Sequence, residues 1–134
     1  MKVFLGGTCN GSNWRDRLIP NLEIDYFNPV VDDWTPECQE EELRQRQECD
    51  IVLYTLTPKM TGVYAVAEVV DDSNKRPEKT VLLVLHTDGD EAFTTVQVKS
   101  LNMVGRLVQE NGGQVVGSLD DCAMALNGRA VKVA

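Results

Sequence analysis

Thr57 to Asn74 reads TPKMTGVYAVAEVVDDSN and follows a run of strand formers, Ile51 to Thr55. A buried strand, a loop containing Pro58 and Gly62, and an apolar helix over Val63 to Asn74 form a strand-loop-helix unit, the building block of an open parallel sheet. Between Gly62 and Val70 the one charged residue is Glu68. Ligands of open α/β sheets bind beyond the carboxyl ends of the strands, so a carboxylate early in this helix can serve as nucleophile or base. A plainer reading stands beside that one. Val63, Val66, Ala67 and Val70 recur at helical spacing and predict the stripe packed on the sheet. Glu68 then falls on another flank with Tyr64, where it lines a cleft, meets another subunit or faces water.

Strands and helices alternate on both sides of this unit. Lys2 to Gly6 is a short apolar strand broken by GGTCNGSN, and Trp14 to Ile19, with Leu22, predicts a first helix capped by Asn13 or Ser12 and ended by Pro20. Ile24 to Phe27 is a second strand. Thr35 and Pro36 start a second helix, Glu37 to Cys49, whose few apolar residues are Cys38, Leu43 and Cys49, so it is expected on the surface or against another subunit. Thr80 to Leu85 (TVLLVL) reads as a strand covered on both faces, with His86 to Glu91 as its exit loop. Phe93 to Asn111 predicts a long helix burying Val96, Leu101, Val104, Leu107 and Val108, ended by Gly112 and Gly113. Gln114 to Val116 is a fifth strand, and Leu119 to Leu126 a last helix capped by Ser118.

This alternation predicts an α/β fold of one domain over residues 1–134. The expected form is flavodoxin-like and doubly wound: five parallel strands in the order 2-1-3-4-5, with helices on both faces. In that order the first and third strands are neighbours at the switch point. The loops GGTCNGSN and TPKMTGVY then face each other across one crevice, with NPVVDDW beside them.

A chain of 134 residues can bury a core without staples. Its formal net charge of -8 argues against a nucleic-acid backbone or an anionic membrane as partner and suits a small, neutral or weakly charged ligand. Cys9, Cys38, Cys49 and Cys122 form no C-x-x-C pair and read as reduced thiols. With no signal-like segment and no apolar run of membrane-spanning length, a cytosolic location is expected.

Two loops offer binding groups. Gly6 to Asn13 presents backbone N–H groups and the side chains of Thr8, Asn10 and Ser12, without the Lys of a Walker A loop or the spacing of a dinucleotide fingerprint. It reads equally as a structural turn built on Gly6 and Gly7. Asp32, Asp33 and Trp34 set an aromatic face beside carboxylates, as a flat polar heterocycle requires, or else form a solvated turn plugged by Trp34. Two adjacent aspartates without further spaced ligands do not define a metal site, and none is expected. His86, the single histidine, reads as a strand-exit residue, and Glu40, Glu41, Glu42 and Glu48 as a solvated face.

Three segments together, GGTCNGSNWRD, DYFNPVVDDWTPE and CDIVLYTLTPKMTGVYAVAEVV, resemble the nucleoside 2-deoxyribosyltransferase-like family, especially its small phage and bacterial branch. The resemblance runs from Met1 to about Leu85. It implies an enzyme that exchanges the base of a 2'-deoxyribonucleoside without metal or organic cofactor, through a helix glutamate that attacks the sugar and forms a covalent ester. That glutamate corresponds to Glu68, with Tyr64 one turn earlier to orient it and Asp33 as proton donor to the leaving base. Gly6, Gly7, Thr8, Asn10, Asp32, Trp34, Met60, Thr61 and Gly62 are the expected substrate contacts, and the acidic residue that helps hold the base falls near Glu42. Typical members carry a second carboxylate shortly before the nucleophile. Gly62 stands there instead, so Asp32 or Asp33 is expected to substitute. The implied partners are a deoxyribonucleoside and a free nucleobase. No Lys or Arg precedes Arg15 in the first loop, which favours nucleoside over nucleotide, and the family's habit of completing sites across subunits implies a homo-oligomer. Two rivals stand beside base exchange: hydrolysis of the N-glycosidic bond, and a non-catalytic nucleotide-binding module on the same fold.

Overall fold

Near-continuous apolar strands must be covered on both faces, and a computed structural model, which describes residues 1–9 and 11–133, has that arrangement. The strands are β1 (Lys2–Gly7), β2 (Asp25–Phe27), β3 (Ile51–Leu56), β4 (Thr80–Val84), a hairpin of β5 (Thr87–Asp88) and β6 (Glu91–Ala92), and β7 (Gln114–Val116). The main sheet is all parallel in the order β2-β1-β3-β4-β7. Counting its five strands alone, that is the expected 2-1-3-4-5, and the fold is flavodoxin-like. The helices are α1 (Trp14–Leu18), α2 (Pro36–Glu48), α3 (Tyr64–Lys75), α4 (Thr95–Glu110) and α5 (Leu119–Val133).

Alternation along the strands divides the core in two. Val3, Leu5, Ile51, Leu53, Val81 and Leu83 point to one face, where they pack with Trp14 and Leu18 of α1 and Cys122 and Leu126 of α5. Phe4, Val52, Tyr54, Leu56 and Leu82 point to the other, against Val69 of α3 and Leu101 and Val108 of α4. Two helix starts follow the expected caps, whereas Asn13 before α1 makes no side-chain capping hydrogen bond. Thr35 Oγ1 accepts from the Cys38 N–H, and Ser118 Oγ accepts from the Asp121 N–H. Among the described residues, no helix is long and apolar enough to cross a membrane.

Several expected details are corrected. The packed side of α3 holds only half of the expected stripe: Val66 and Val70 pack against the core, and Val63 and Ala67 do not. Val63 and Ala67 are exposed, and the buried positions are Val69, Asp72 and Ser73, with Ala65 and Val66 half-buried. Ala65, Glu68, Val69 and Asp72 thus share one side, and at its edge Glu68 keeps the expected company of Tyr64, with which it lines a cleft. The apolar pattern misled because two of the buried residues are polar. On α4, Val96 and Leu107 are exposed, and contact runs through Leu101, Gly105 and Val108. The segment after β4 is not an open loop. It folds back around Gly89 as the β5–β6 hairpin, and buried Asp88 accepts a 2.6 Å hydrogen bond from the Ser12 hydroxyl. A 3-10 turn, Ile19–Asn21, follows α1, and α5 continues to Val133 instead of stopping at Leu126.

Gly7 shows why the first loop begins where it does. Its φ is +112°, and a Cβ there would sit 2.1 Å from the Thr55 carbonyl oxygen. Backbone conformation and contact with β3 both reject a side chain. Gly7→Ala is expected to cost about 2–3 kcal/mol, seen as a lower urea midpoint. An unchanged midpoint would mean that β1 and β3 can part there freely.

Candidate active site

β1 and β3 lie side by side at the switch point, and the loops leaving them are tied together. The Thr8 N–H donates to the Thr55 carbonyl (2.9 Å), and the Thr57 N–H donates to Thr8 Oγ1 (3.0 Å). From α1, the Trp14 indole N–H and Arg15 Nη1 both donate to the Thr8 carbonyl at 2.8 Å, while Arg15 Nε and Nη2 donate to the Leu5 carbonyl. Burial lowers the pKa of Arg15, but a guanidinium remains charged. Its hydrogen bonds go to the turn itself, so this arginine shapes the loop.

Two cavities meet at α3. The first, about 230 Å³, is walled by Gly7 at the end of β1 with Thr8 and Cys9 of the loop after it, by Met60, Thr61 and Gly62 of the loop after β3, and by Tyr64, Ala65 and Glu68 of the helix. The second, about 260 Å³, lies toward α2 between Trp34, Gln39, Glu42, Leu43 and Arg46, and shares Tyr64 and Glu68 with the first. Each alone is smaller than ligand sites of roughly 300–1,000 Å³; joined, they fall within that range. A larger hollow of about 580 Å³ sits by Arg17 and His86 at the ends of β4 and β7, away from the switch point.

Glu68 is the carboxylate common to both cavities. Its side chain is 22% exposed, and its Oε2 lies 3.3 Å from Arg46 Nη1. Arg46 comes from α2, is 8% exposed, and donates from Nε and Nη2 to the two oxygens of Asp72 at 3.3 and 3.0 Å. Asp72 is fully buried and also accepts from the Tyr54 hydroxyl (2.5 Å) and Arg76 Nε (2.9 Å). Burial raises the pKa of Glu68 above the ordinary carboxylate value. Arg46 opposes the rise, and Glu42 and Asp72 add to it. Burial raises Glu42 as well, against a hydrogen bond from the Trp34 side chain and the charges of Arg46 and Arg15. Two carboxylates held above their usual range in one cleft is the electrostatic pattern of an acid–base site.

The structure gathers most, though not all, of the residues singled out from the sequence. Gly7, Thr8, Met60, Thr61, Gly62, Tyr64 and Glu68 ring the first cavity, and Trp34 and Glu42 the second. Glu42, read above as part of a solvated face, is half-buried. Gly6 borders neither cavity; a Cβ there would stand 2.8 Å from the Tyr54 ring, so its smallness serves packing. Asp32 and Asp33 are exposed and line neither cavity, and Asn10 lies outside the described residues. Arg46, Tyr54, Asp72 and Cys9 were not anticipated. One signal was there for Arg46: Glu42, Gln45, Arg46 and Cys49 fall at helical spacing and form the side of α2 turned inward.

Comparison with known proteins places this geometry. Neither curated proteins nor solved structures return a match. Residues 1–88 match the family described as nucleoside 2-deoxyribosyltransferase like, and that span holds both loops, α2, β3 and α3, hence every residue lining the two cavities. The chain belongs to the nucleoside 2-deoxyribosyltransferase-like family.

Proposed function

We propose that this protein transfers 2-deoxyribose between nucleobases, cleaving the N-glycosidic bond of a 2'-deoxyribonucleoside through an ester between Glu68 and the sugar. The observation that carries the reading is Glu68 itself, a half-buried carboxylate shared by two adjoining cavities at the switch point. The sugar occupies the cavity between the glycine loops, and the base lies toward Trp34, whose indole face can stack on it.

A 2-deoxy sugar lacks the electron-withdrawing hydroxyl that disfavours positive charge at C1'. Glu68 attacks C1' as the C1'–N bond breaks, and the bond's electron pair passes to the base nitrogen. That nitrogen needs a proton. Glu42 is the donor we favour, because it lines the cavity and burial raises its pKa, whereas Asp33 and Asp32 are exposed and border neither cavity. The incoming base attacks C1' through its own ring nitrogen, returns a proton to Glu42 and releases Glu68, giving retention over two displacements. Tyr64, one turn before Glu68, orients the carboxylate. Glu68 must be ionised and Glu42 protonated, so kcat/KM is expected to rise and then fall with pH. Its acid limb should lie above the ordinary carboxylate range, because burial raises Glu68.

Trp34, Leu43 and Tyr64 are 60%, 50% and 73% exposed at the cavity mouth, an apolar rim that a second copy would cover. A cytosolic homo-oligomer completes the reading.

Incubation with deoxyadenosine and free cytosine is expected to give deoxycytidine and adenine. Absence of both exchange and free deoxyribose would overturn the proposal in favour of a binding module, and free deoxyribose without an acceptor would make the protein a hydrolase. Trp34→Ala is expected to raise KM for the acceptor base about tenfold, since base stacking is worth about 1–3 kcal/mol. An unchanged KM would put the base elsewhere.

A further inference from the structure

We propose that Arg46 is a positioning residue for Glu68: held on one edge by Asp72, it presents its remaining nitrogen to one carboxylate oxygen and leaves the other for attack on the sugar. The inference rests on the reading of Glu68 as nucleophile.

The geometry supplies the argument. A guanidinium is a rigid plane with donors along fixed edges. Here Nε and Nη2 are both committed to Asp72, at 3.3 and 3.0 Å. Asp72 cannot follow small movements, because it is fully buried and also gripped by Tyr54 from β3 and Arg76 from the end of α3. The position of Nη1 is thereby fixed, and it lies 3.3 Å from Glu68 Oε2. That contact is looser than the 2.7–2.9 Å typical of a strong charge-assisted hydrogen bond. It orients the carboxylate without consuming its nucleophilicity.

The surrounding charges make such a partner necessary. Facing Glu68 are Arg46 and Glu42 from α2, Asp72 and Tyr64 from α3, Tyr54 from β3, and Cys9 of the loop after β1. Burial, Glu42 and Asp72 all favour the protonated form of Glu68; Arg46 is the group that opposes them. Lysine could supply the charge, but a single ammonium cannot hold both oxygens of Asp72 and still set the aim toward Glu68.

The test is a carboxyl 13C NMR titration of Glu68 in the full chain, alongside the pH profile of kcat/KM. Arg46→Gln is expected to raise the Glu68 midpoint by about one pH unit or more, with the acid limb of kcat/KM moving equally. Arg46→Lys should keep the midpoint near that of the parent while kcat falls about ten- to a hundredfold from lost alignment. A Glu68 midpoint unmoved by Arg46→Gln, or a lysine variant with full kcat, overturns the proposal. Should Arg46→Gln fail to fold, the parent protein decides. Its Arg46 guanidinium resonances must titrate with the Glu68 midpoint and stop doing so in Glu68→Gln, and a guanidinium blind to that titration rules the role out. If the parent shows no turnover, the enzymatic reading falls, while the NMR midpoints still decide whether Arg46 governs Glu68.

Discussion

Glu68→Gln is expected to lower the rate of base exchange by at least about 10⁴-fold, the scale of loss when a covalent nucleophile is removed. Glutamine keeps the length and planar end of the side chain and can still accept from Arg46 Nη1, so the cavity walls should persist. The amide oxygen carries no charge and cannot form an ester that the second base displaces. The fold should not suffer. Burial raises the pKa of Glu68 in the folded protein above its unfolded value, so whatever stability this group gives is fully present only below the unfolded pKa and is lost as pH rises through the folded one. Its charged form therefore adds nothing to stability, and Glu68→Gln should show a Tm no lower than that of the parent. Retention of more than about one part in a hundred of the activity would assign the attack to another group.

Asp72→Ala should produce the largest loss of stability, about 3–5 kcal/mol, because it leaves buried Arg46 without its main counter-charge. The residue lies far from solvent and anchors three donors at once: Arg46, Arg76 and the Tyr54 hydroxyl. Burial and the neighbouring carboxylate push the Tyr54 pKa far up, so its hydroxyl stays neutral and needs an acceptor. For a domain whose net stability is about 5–15 kcal/mol, such a loss is a large share of the total. In urea the midpoint should fall with the slope unchanged. A loss below about 1 kcal/mol would mean that water reaches the arginines once the carboxylate is gone.

The sheet was legible because its rules are local. TVLLVL and IVLYT are apolar on both faces, which parallel central strands require, and strand order then put the two glycine loops on one crevice. The lone charge in GVYAVAEVV was equally visible. What stayed hidden depends on partners remote in sequence. Asp72 broke the stripe of α3 because an arginine 26 residues earlier neutralises it, and α2 looked solvated because the side it buries is made of glutamine, arginine and cysteine. The β5–β6 hairpin is too short to leave a pattern, and the burial of Asp88 depends on Ser12. Val96 and Leu107 were misread because apolar residues also occupy surfaces. Asp33 drew attention beside Trp34, yet the helix after that loop turns Glu42, not Asp33, toward the cavity.

The most direct measurement is acid quenching of the protein during turnover with a 2'-deoxyribonucleoside, followed by peptide mass spectrometry. A mass increment of one deoxyribosyl group on the Met60–Lys75 peptide, localised to Glu68 and absent from Glu68→Gln, is the expected result. Steady base exchange with Glu68 unmodified, or with the sugar carried on a different residue, would contradict it.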